Sequence, residues 1–385
     1  MFAHEILRVI YSPFKAFKEI LQNPKYFGPI MIMVLFISAN AASVYIVLSK
    51  THVEQTLPEI SQEDEWTENQ TLWTPMPEVN YDDYINGSFY GNRSLEFSIS
   101  DQTFLQFQMN STETVNCTGI EGYKNMSFRI KLIFQEASEP NSAFLFLHSS
   151  PTEYFYYNLT PHLTPWNSSI WNNITVPTGP ESIGWSNNET ESEWDNITKI
   201  RFEFRWPEPT NATVLLDGLF FRGFFKSELE NAPSHILNFS LSALIHFTLR
   251  WVILSGILFL TSKALGSTAT WKPTLIVVGF ALITLFIQSV VNIGVYASLP
   301  RLSYPLEYFS GILGESEVAH NRILEQTQFV YMINNYAQLG ISIWTIALCA
   351  IALQLLTEFS WTKTILISTL AYFVSMIAEI LLIGY

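Results

Sequence analysis

Five stretches of this chain are long and apolar enough to cross a bilayer, and no other feature limits its fold as strongly. They lie near residues 28–49, 237–262, 273–297, 334–357 and 364–384. Hydrocarbon offers the backbone no hydrogen-bond partner, so each stretch must be a helix that closes its own ladder. His246 and Arg250 interrupt the second, which makes it the weakest of the five. The first is not a cleavable signal: it starts late and no small-x-small cleavage site follows it.

Basic residues at the ends of the stretches set orientation. Arg8, Lys15, Lys18 and Lys25 precede the first, Lys263 and Lys272 link the second to the third, and Lys363 precedes the fifth. With these inside, the amino terminus is cytoplasmic and Tyr385 ends at the outer face. Residues 50–236 and the loop 298–333 are then outside. Charge follows the same partition. Residues 52–225 hold 24 acids against 8 bases, whereas the rest of the chain holds 10 against 12. The acidic segment therefore excludes a nucleic-acid partner. Cys117 falls in that segment and Cys349 in an apolar stretch, so a disulfide between them is implausible and no zinc spacing exists.

A second signal names the same side. Of 16 Asn in residues 52–225, 12 begin Asn-x-Ser/Thr. They are Asn69, Asn86, Asn92, Asn110, Asn116, Asn125, Asn158, Asn167, Asn173, Asn188, Asn196 and Asn211. The segment's Ser and Thr content would give about three by chance under the sequon rule. N-linked glycans are the implied partners, and the alternative is a merely Asn- and Thr-rich polar segment. A thirteenth match, Asn238, sits too near the membrane to serve.

Residues 50–94 lack periodicity and read as an acidic stalk or irregular first layer. Beyond them come short strands, expected at 95–99, 104–109, 126–135, 143–148, 153–159, 170–176, 197–206 and 213–224. In "IRFEFRW" Ile200, Phe202, Phe204 and Trp206 alternate with Arg201, Glu203 and Arg205, the period of a strand with one wet face. The pattern argues an antiparallel β-sandwich over 95–225. "SSIWNNITVP", "EWDNITKIRFEFRW" and above all "VLLDGLFF" make residues 90–224 resemble the jelly-roll domains of carbohydrate-binding modules and galactose-binding-like proteins. That resemblance implies sugar binding on aromatic platforms, with Trp166, Trp171, Trp185, Trp194, Tyr154, Tyr156 and Tyr157 as candidates; core packing is the competing role. It also implies a structural calcium at Asp217, against a turn carboxylate capping Gly218.

Ahead of the first span, "SPFKAFKEILQNP" places Phe14, Phe17 and Leu21 on one face of a helix opened by Ser12 and Pro13, over 1–27 as a cytoplasmic interfacial segment. The pattern, followed by a span, resembles the Yip family, small membrane proteins named for interaction with Ypt/Rab GTPases. The resemblance covers residues 1–50 and 226–385 and implies five helices, an inner amino terminus and an outer carboxyl terminus. It departs from the family by the domain inserted after the first span. It brings no catalytic residues, and the GTPase link does not transfer.

Inside the bundle, counting the helical rise puts Asn40, His246, Arg250, Gln288 and Glu379 at one level, about 20–26 Å from the cytoplasmic ends. A lone Arg there costs at least about 2.5–3.5 kcal/mol, so Arg250 should pair with Glu379 with Asn40 and Gln288 nearby. The layer is either a substrate or proton site or an interhelical clasp. No H-E-x-x-H, no G-x-S-x-G and no paired acids in a span argue for an enzyme. The leading reading is a non-enzymatic membrane protein at the plasma membrane that binds a protein or glycan outside, alone or as an oligomer. A permease-type subunit is the alternative in function, and a eukaryotic endomembrane with a lumenal sandwich the alternative in place.

Overall fold

The computed structural model describes residues 2–62, 64–134, 139–188 and 192–383. Tyr385, the end of the fifth span at 384 and the expected strand end at 135 lie outside them. The chain forms two compact units: residues 1–51, 227–302 and 324–385 make one, and residues 52–226 and 303–323 the other.

The first unit is helical. α1 (Phe2–Tyr11) and α2 (Pro13–Gln22) precede α3 (Phe27–Lys50); α4 (Ala232–Ala264), α5 (Trp271–Ala281), α6 (Ile283–Ala297), α7 (Glu315–Thr357) from residue 324 onward, and α8 (Trp361–Ile383) complete it. Among the described residues, five helical rods are long and apolar enough to span a membrane: Phe27–Lys50, Glu228–Ala264, Trp271–Ala297, Glu315–Thr357 and Trp361–Leu382. The third is α5 and α6 in line, broken at Leu282. The break has a local cause. The Thr284 hydroxyl donates to the Ala281 carbonyl at 3.2 Å and meets the Thr345 hydroxyl at 2.6 Å, so a side chain competes for a backbone acceptor.

Close helix approach uses small residues. A Cβ on Gly28 would lie 2.0 Å from the Phe280 ring, so glycine lets α3 seat against α5. Pro13 opens α2 as its sequence dictates, but the Ser12 side chain makes no cap bond. The buried face of α2 is Ala16, Phe17 and Ile20; Phe14 stays exposed. With Ile6 and Val9 of α1, that face joins the apolar core that includes Ile276 and Phe280 of α5. The amphipathic segment thus packs on protein as well as presenting a polar side.

The second unit is an antiparallel sandwich of β1 (Thr51–Leu57), β2 (Trp73–Thr74), β3 (Glu78–Asn80), β4 (Ser94–Val115), β5 (Asn125–Ile133), β6 (Ser142–His148), β7 (Tyr154–Asn158), β8 (Trp171–Pro177), β9 (Trp185–Asn187) and β10 (Ile197–Ser227). β4 and β10 form one long ribbon with register shifts between Arg205 and Ala212, and it serves both layers. Its first part carries the front sheet: residues 199–205 of β10 pair with β6, which continues to β7 and β9. Its second part carries the back sheet: residues 213–222 pair with β5, which continues to β8. The expected pairs of strands at 95–99 and 104–109, and at 197–206 and 213–224, are therefore single bent strands. Ile200, Phe202 and Phe204 are fully buried between the layers, as the alternation requires.

Residues 52–94 are not a stalk. Trp66 and Trp73 are 2 % exposed within the sandwich core, and the Trp73 indole donates to the Trp66 carbonyl at 2.7 Å. Neither ring belongs to a periodic run, so alternation could not flag them. Cys117 and Cys349 are both free and buried.

Candidate functional site

The outer faces of the two sheets differ. The back sheet is sealed by the chain itself. Tyr90, Phe220 and Leu306 form a buried cluster with Ile85, Phe89 and Ile312 at its edge. Arg129 bonds Glu315 at 2.6 Å, Lys131 bonds Asp83 at 2.5 Å and the Trp171 indole donates to Asp83 at 2.9 Å. Arg222 is held by both Glu54 and Glu307, at 2.7 and 2.5 Å.

The front sheet has no such cover among the described residues. Strand register places Tyr156, Phe146, Arg201 and Gln108 in one row across β7, β6, β10 and β4; Phe144, Glu203 and Gln106 make the next. Arg201 lies 4.1 Å above the Phe146 ring and 5.5 Å from the Tyr154 ring. Glu203 stands between two cations, 3.2 Å from Arg201 and 3.6 Å from Arg205, and is 7 % exposed. The aromatic side of the face meets Tyr154 at 5.5 Å from Phe146 and Tyr156 at 6.5 Å from Phe144, both steeply tilted. At the end of the face burial pushes the His148 imidazole down to about 4, aided by the charges of Arg201 and Lys199. It is neutral near pH 7.

The aromatic candidates divide accordingly. Tyr154 and Tyr156 are on this face. Trp194 is buried and stacks on Phe155 at 4.0 Å; Trp166, Trp185 and Tyr157 pack against the core; Trp171 serves the sealed face. Sequence reading missed Phe144 and Phe146. Their signal lies in "SAFLFLH", where they stand out of phase with the buried Ala143, Leu145 and Leu147.

Ten of the twelve sequon asparagines are exposed, and Asn69 and Asn125 are half-buried. In Asn69 and Asn116 the amide oxygen accepts from the backbone N–H and the hydroxyl of the sequon threonine, Thr71 and Thr118. Asn188 instead donates its amide to the Thr152 carbonyl at 2.8 Å.

Asp217 has an unforeseen neighbour, Asp64, and both are fully buried. Asp64 Oδ2 accepts from the Gly218 N–H at 2.5 Å and from the Thr67 hydroxyl; Asp217 Oδ2 accepts from the Ile85 N–H at 2.7 Å. Each Oδ1 is left without a hydrogen-bond partner. Burial raises the Asp64 carboxyl to about 7, and burial with the charge of Asp64 raises Asp217 as well. Two orphaned oxygens fit a shared proton. They also suit a cation, but no cluster of three or more His, Cys, Asp or Glu completes a metal shell among the described residues.

In the helical unit, Glu379 draws two residues of α4 together. Arg250 Nε and a terminal guanidinium nitrogen lie 3.0 and 2.8 Å from Glu379 Oε2, and His246 Nδ1 lies 2.8 Å from Oε1. Arg250 also faces the Tyr372 ring at 5.6 Å. Asn40 does not touch the trio; it donates to the Ser289 hydroxyl at 3.1 Å. A cavity of about 420 Å³ is bordered by all five expected polar residues, Asn40, His246, Arg250, Gln288 and Glu379.

Residues 207–383 match the model of the Yip1 domain. The match begins inside β10 and leaves α1, α2 and α3 outside it. No curated protein matches the chain. Among solved structures, the chain is similar to a family 11 carbohydrate-binding module from Clostridium thermocellum, solved with a β-1,3-1,4-mixed-linked tetrasaccharide; identity is 15 %, coverage 45 % of this chain and 97 % of that one, and TM-score 0.29. It is similar also to a β-1,2-glucanase from Parabacteroides distasonis, at 13 % identity, 43 % and 22 % coverage and TM-score 0.28.

Proposed function

We propose that this Yip1-domain membrane protein, with a β-sandwich set between its first helix and the rest, is a non-catalytic binding protein of a cell surface. Its multi-pass bundle holds the sandwich at the membrane. The amino terminus is inside, and the sandwich is outside and carries N-linked glycans. The open front face takes a saccharide chain.

One observation carries the reading: the back face is sealed by the chain's own residues, while the front face leaves Phe144, Phe146, Tyr154 and Tyr156 beside Arg201, Glu203, Gln106 and Gln108. A sugar ring presents C–H edges to aromatic rings and hydroxyls to planar amides, guanidinium and carboxylate. This face offers both kinds of group in adjacent rows. Of the sequons on it, Asn158 ends the row of Phe144, Glu203 and Gln106, and Asn110 lies in the row of Lys199, so the row of Tyr156, Phe146, Arg201 and Gln108 carries none.

The purified full chain should bind a subset of a saccharide array. Tyr156→Ala and Arg201→Ala should each weaken that binding about tenfold, the worth of one good contact. Uniform silence across the array with a correctly folded sandwich would refute the saccharide. Glycopeptide mass spectrometry tests the orientation separately: exposed Asn86 and Asn211 should carry glycans, and a wholly unmodified segment would refute an outer location.

A further inference from the structure

The cavity of about 420 Å³ in the helical unit has walls of two chemistries. Phe36, Phe239, Leu285, Met376 and Ile380 contribute hydrocarbon to the lining. Asn40, Gln288, Ser289, Asn292 and Gln338 contribute amides and a hydroxyl. The volume falls in the range of small-molecule sites, about 300–1,000 Å³.

The amides carry unused hydrogen-bonding capacity. Asn292 Oδ1 is buried without a partner, and the side chains of Gln288 and Gln338 bond no protein group among the described residues. In a span, unmet polar groups are costly, so an occupant must meet them.

The ionic groups restrict what that occupant is. Arg250 spends two guanidinium nitrogens on Glu379 Oε2, and Glu379 Oε1 faces His246 Nδ1 at 2.8 Å while accepting no hydrogen bond. Neither an anion nor a cation finds an unopposed counter-charge, and what remains is neutral hydrogen bonding. Water alone would serve the amides but would gain nothing from the apolar wall. Phe239, Gln338 and Ile380 are exposed on the bundle surface, so the rim of the cavity is open to the surrounding lipid.

We propose that this cavity binds an uncharged amphiphile, holding a hydroxyl- or amide-bearing head group against Gln288, Asn292 and Gln338 and its chain against Phe36, Phe239 and Ile380. The test uses the full chain in phosphatidylcholine nanodiscs and three short-chain probes: dioctanoylglycerol, dioctanoyl phosphatidic acid and sphingosine. Saturable binding, read by native mass spectrometry, is expected for dioctanoylglycerol only. Gln288→Leu with Asn292→Leu should weaken it about tenfold or more by removing head-group partners. Ala243→Phe should weaken it too by filling the space, since Ala243 lines the cavity. Equal or tighter binding of either charged probe, no saturable binding of the neutral one, or unchanged affinity in folded variants would overturn the proposal. The three-probe comparison on the unaltered chain decides the question even where a variant fails to fold.

Discussion

Removing one side of the Arg250–Glu379 pair should cost far more than removing both. The pair is deeply placed, with side chains 12 % and 6 % exposed and contacts of 3.0 and 2.8 Å. A Glu379→Leu change strands Arg250, whose other described contact is the Tyr372 ring at 5.6 Å. An unpaired buried charge costs about 3 kcal/mol at the low end. Arg250→Leu leaves Glu379 with His246 at 2.8 Å, so its cost should be smaller, about 2 kcal/mol. The double change replaces an ion pair by leucines inside an apolar bundle and should cost about 1 kcal/mol or less. The cycle then shows non-additivity of roughly 4 kcal/mol, well above the maximum of about 1.7 kcal/mol measured for interhelical hydrogen bonds in a membrane protein. Reversible unfolding in mixed micelles, or steric trapping in bicelles, reads these values on the full chain. Single costs that simply add, within about 0.5 kcal/mol, would refute the claim that the two charges depend on each other.

Two further predictions concern the sandwich unit. Asp64 titrates at about 7 in the fold against about 3.9 unfolded, so the native state holds an extra proton between those values and stability falls as pH rises through them. His148, lowered to about 4, acts the other way: the unfolded chain holds its extra proton between about 4 and 6.5, and stability rises across that window. Asp217, raised as well, adds to the fall, so melting scans from pH 4 to 8 should show stability falling with pH in the native protein, a steeper fall in His148→Gln, and a shallower one in Asp64→Asn; superimposable native and Asp64→Asn profiles would remove the carboxyl pair from the account. Arg222→Met should destabilise the sandwich by about 3–5 kcal/mol, because it leaves the buried Glu54 beside Glu307 with no shared cation. Burial alone would raise the Glu307 carboxyl and Arg222 holds it below its ordinary value, so acid should recover part of that loss, measured as a smaller drop in Tm at pH 5 than at pH 8.

What the residues disclosed in advance follows the size of the physical penalty. Five spans were legible because a backbone in hydrocarbon has one solution. Arg250 and Glu379 were legible for the same reason: a charge at that depth must find a partner, and few were on offer. Ile200, Phe202 and Phe204 declared a half-buried strand by alternation. The features that escaped depend on tertiary partners. Trp66 and Trp73 sit in short, aperiodic elements and are buried only because the sandwich closes over them. Asp64 and Asp217 are 153 positions apart, and no local pattern marks two acids for one pocket. α7 begins at Glu315, well before its apolar stretch, because a polar helical start carries no hydropathy signal.

The inserted sandwich also explains how a helical bundle can carry it. Its first strand, β1, is a neighbour of its last, β10, in the sheet. Glu54, four residues past the end of α3, accepts from the Gly223 N–H at 2.8 Å and bonds Arg222, close to the end of β10. The insert therefore leaves and rejoins the helical part at adjacent points, as a tolerated domain insertion requires. α3 can end and α4 can begin a short distance apart whether the intervening residues number ten or nearly two hundred. The Arg222–Glu54 ion pair adds to the strand pairing of β1 with β10 that already holds the two ends together.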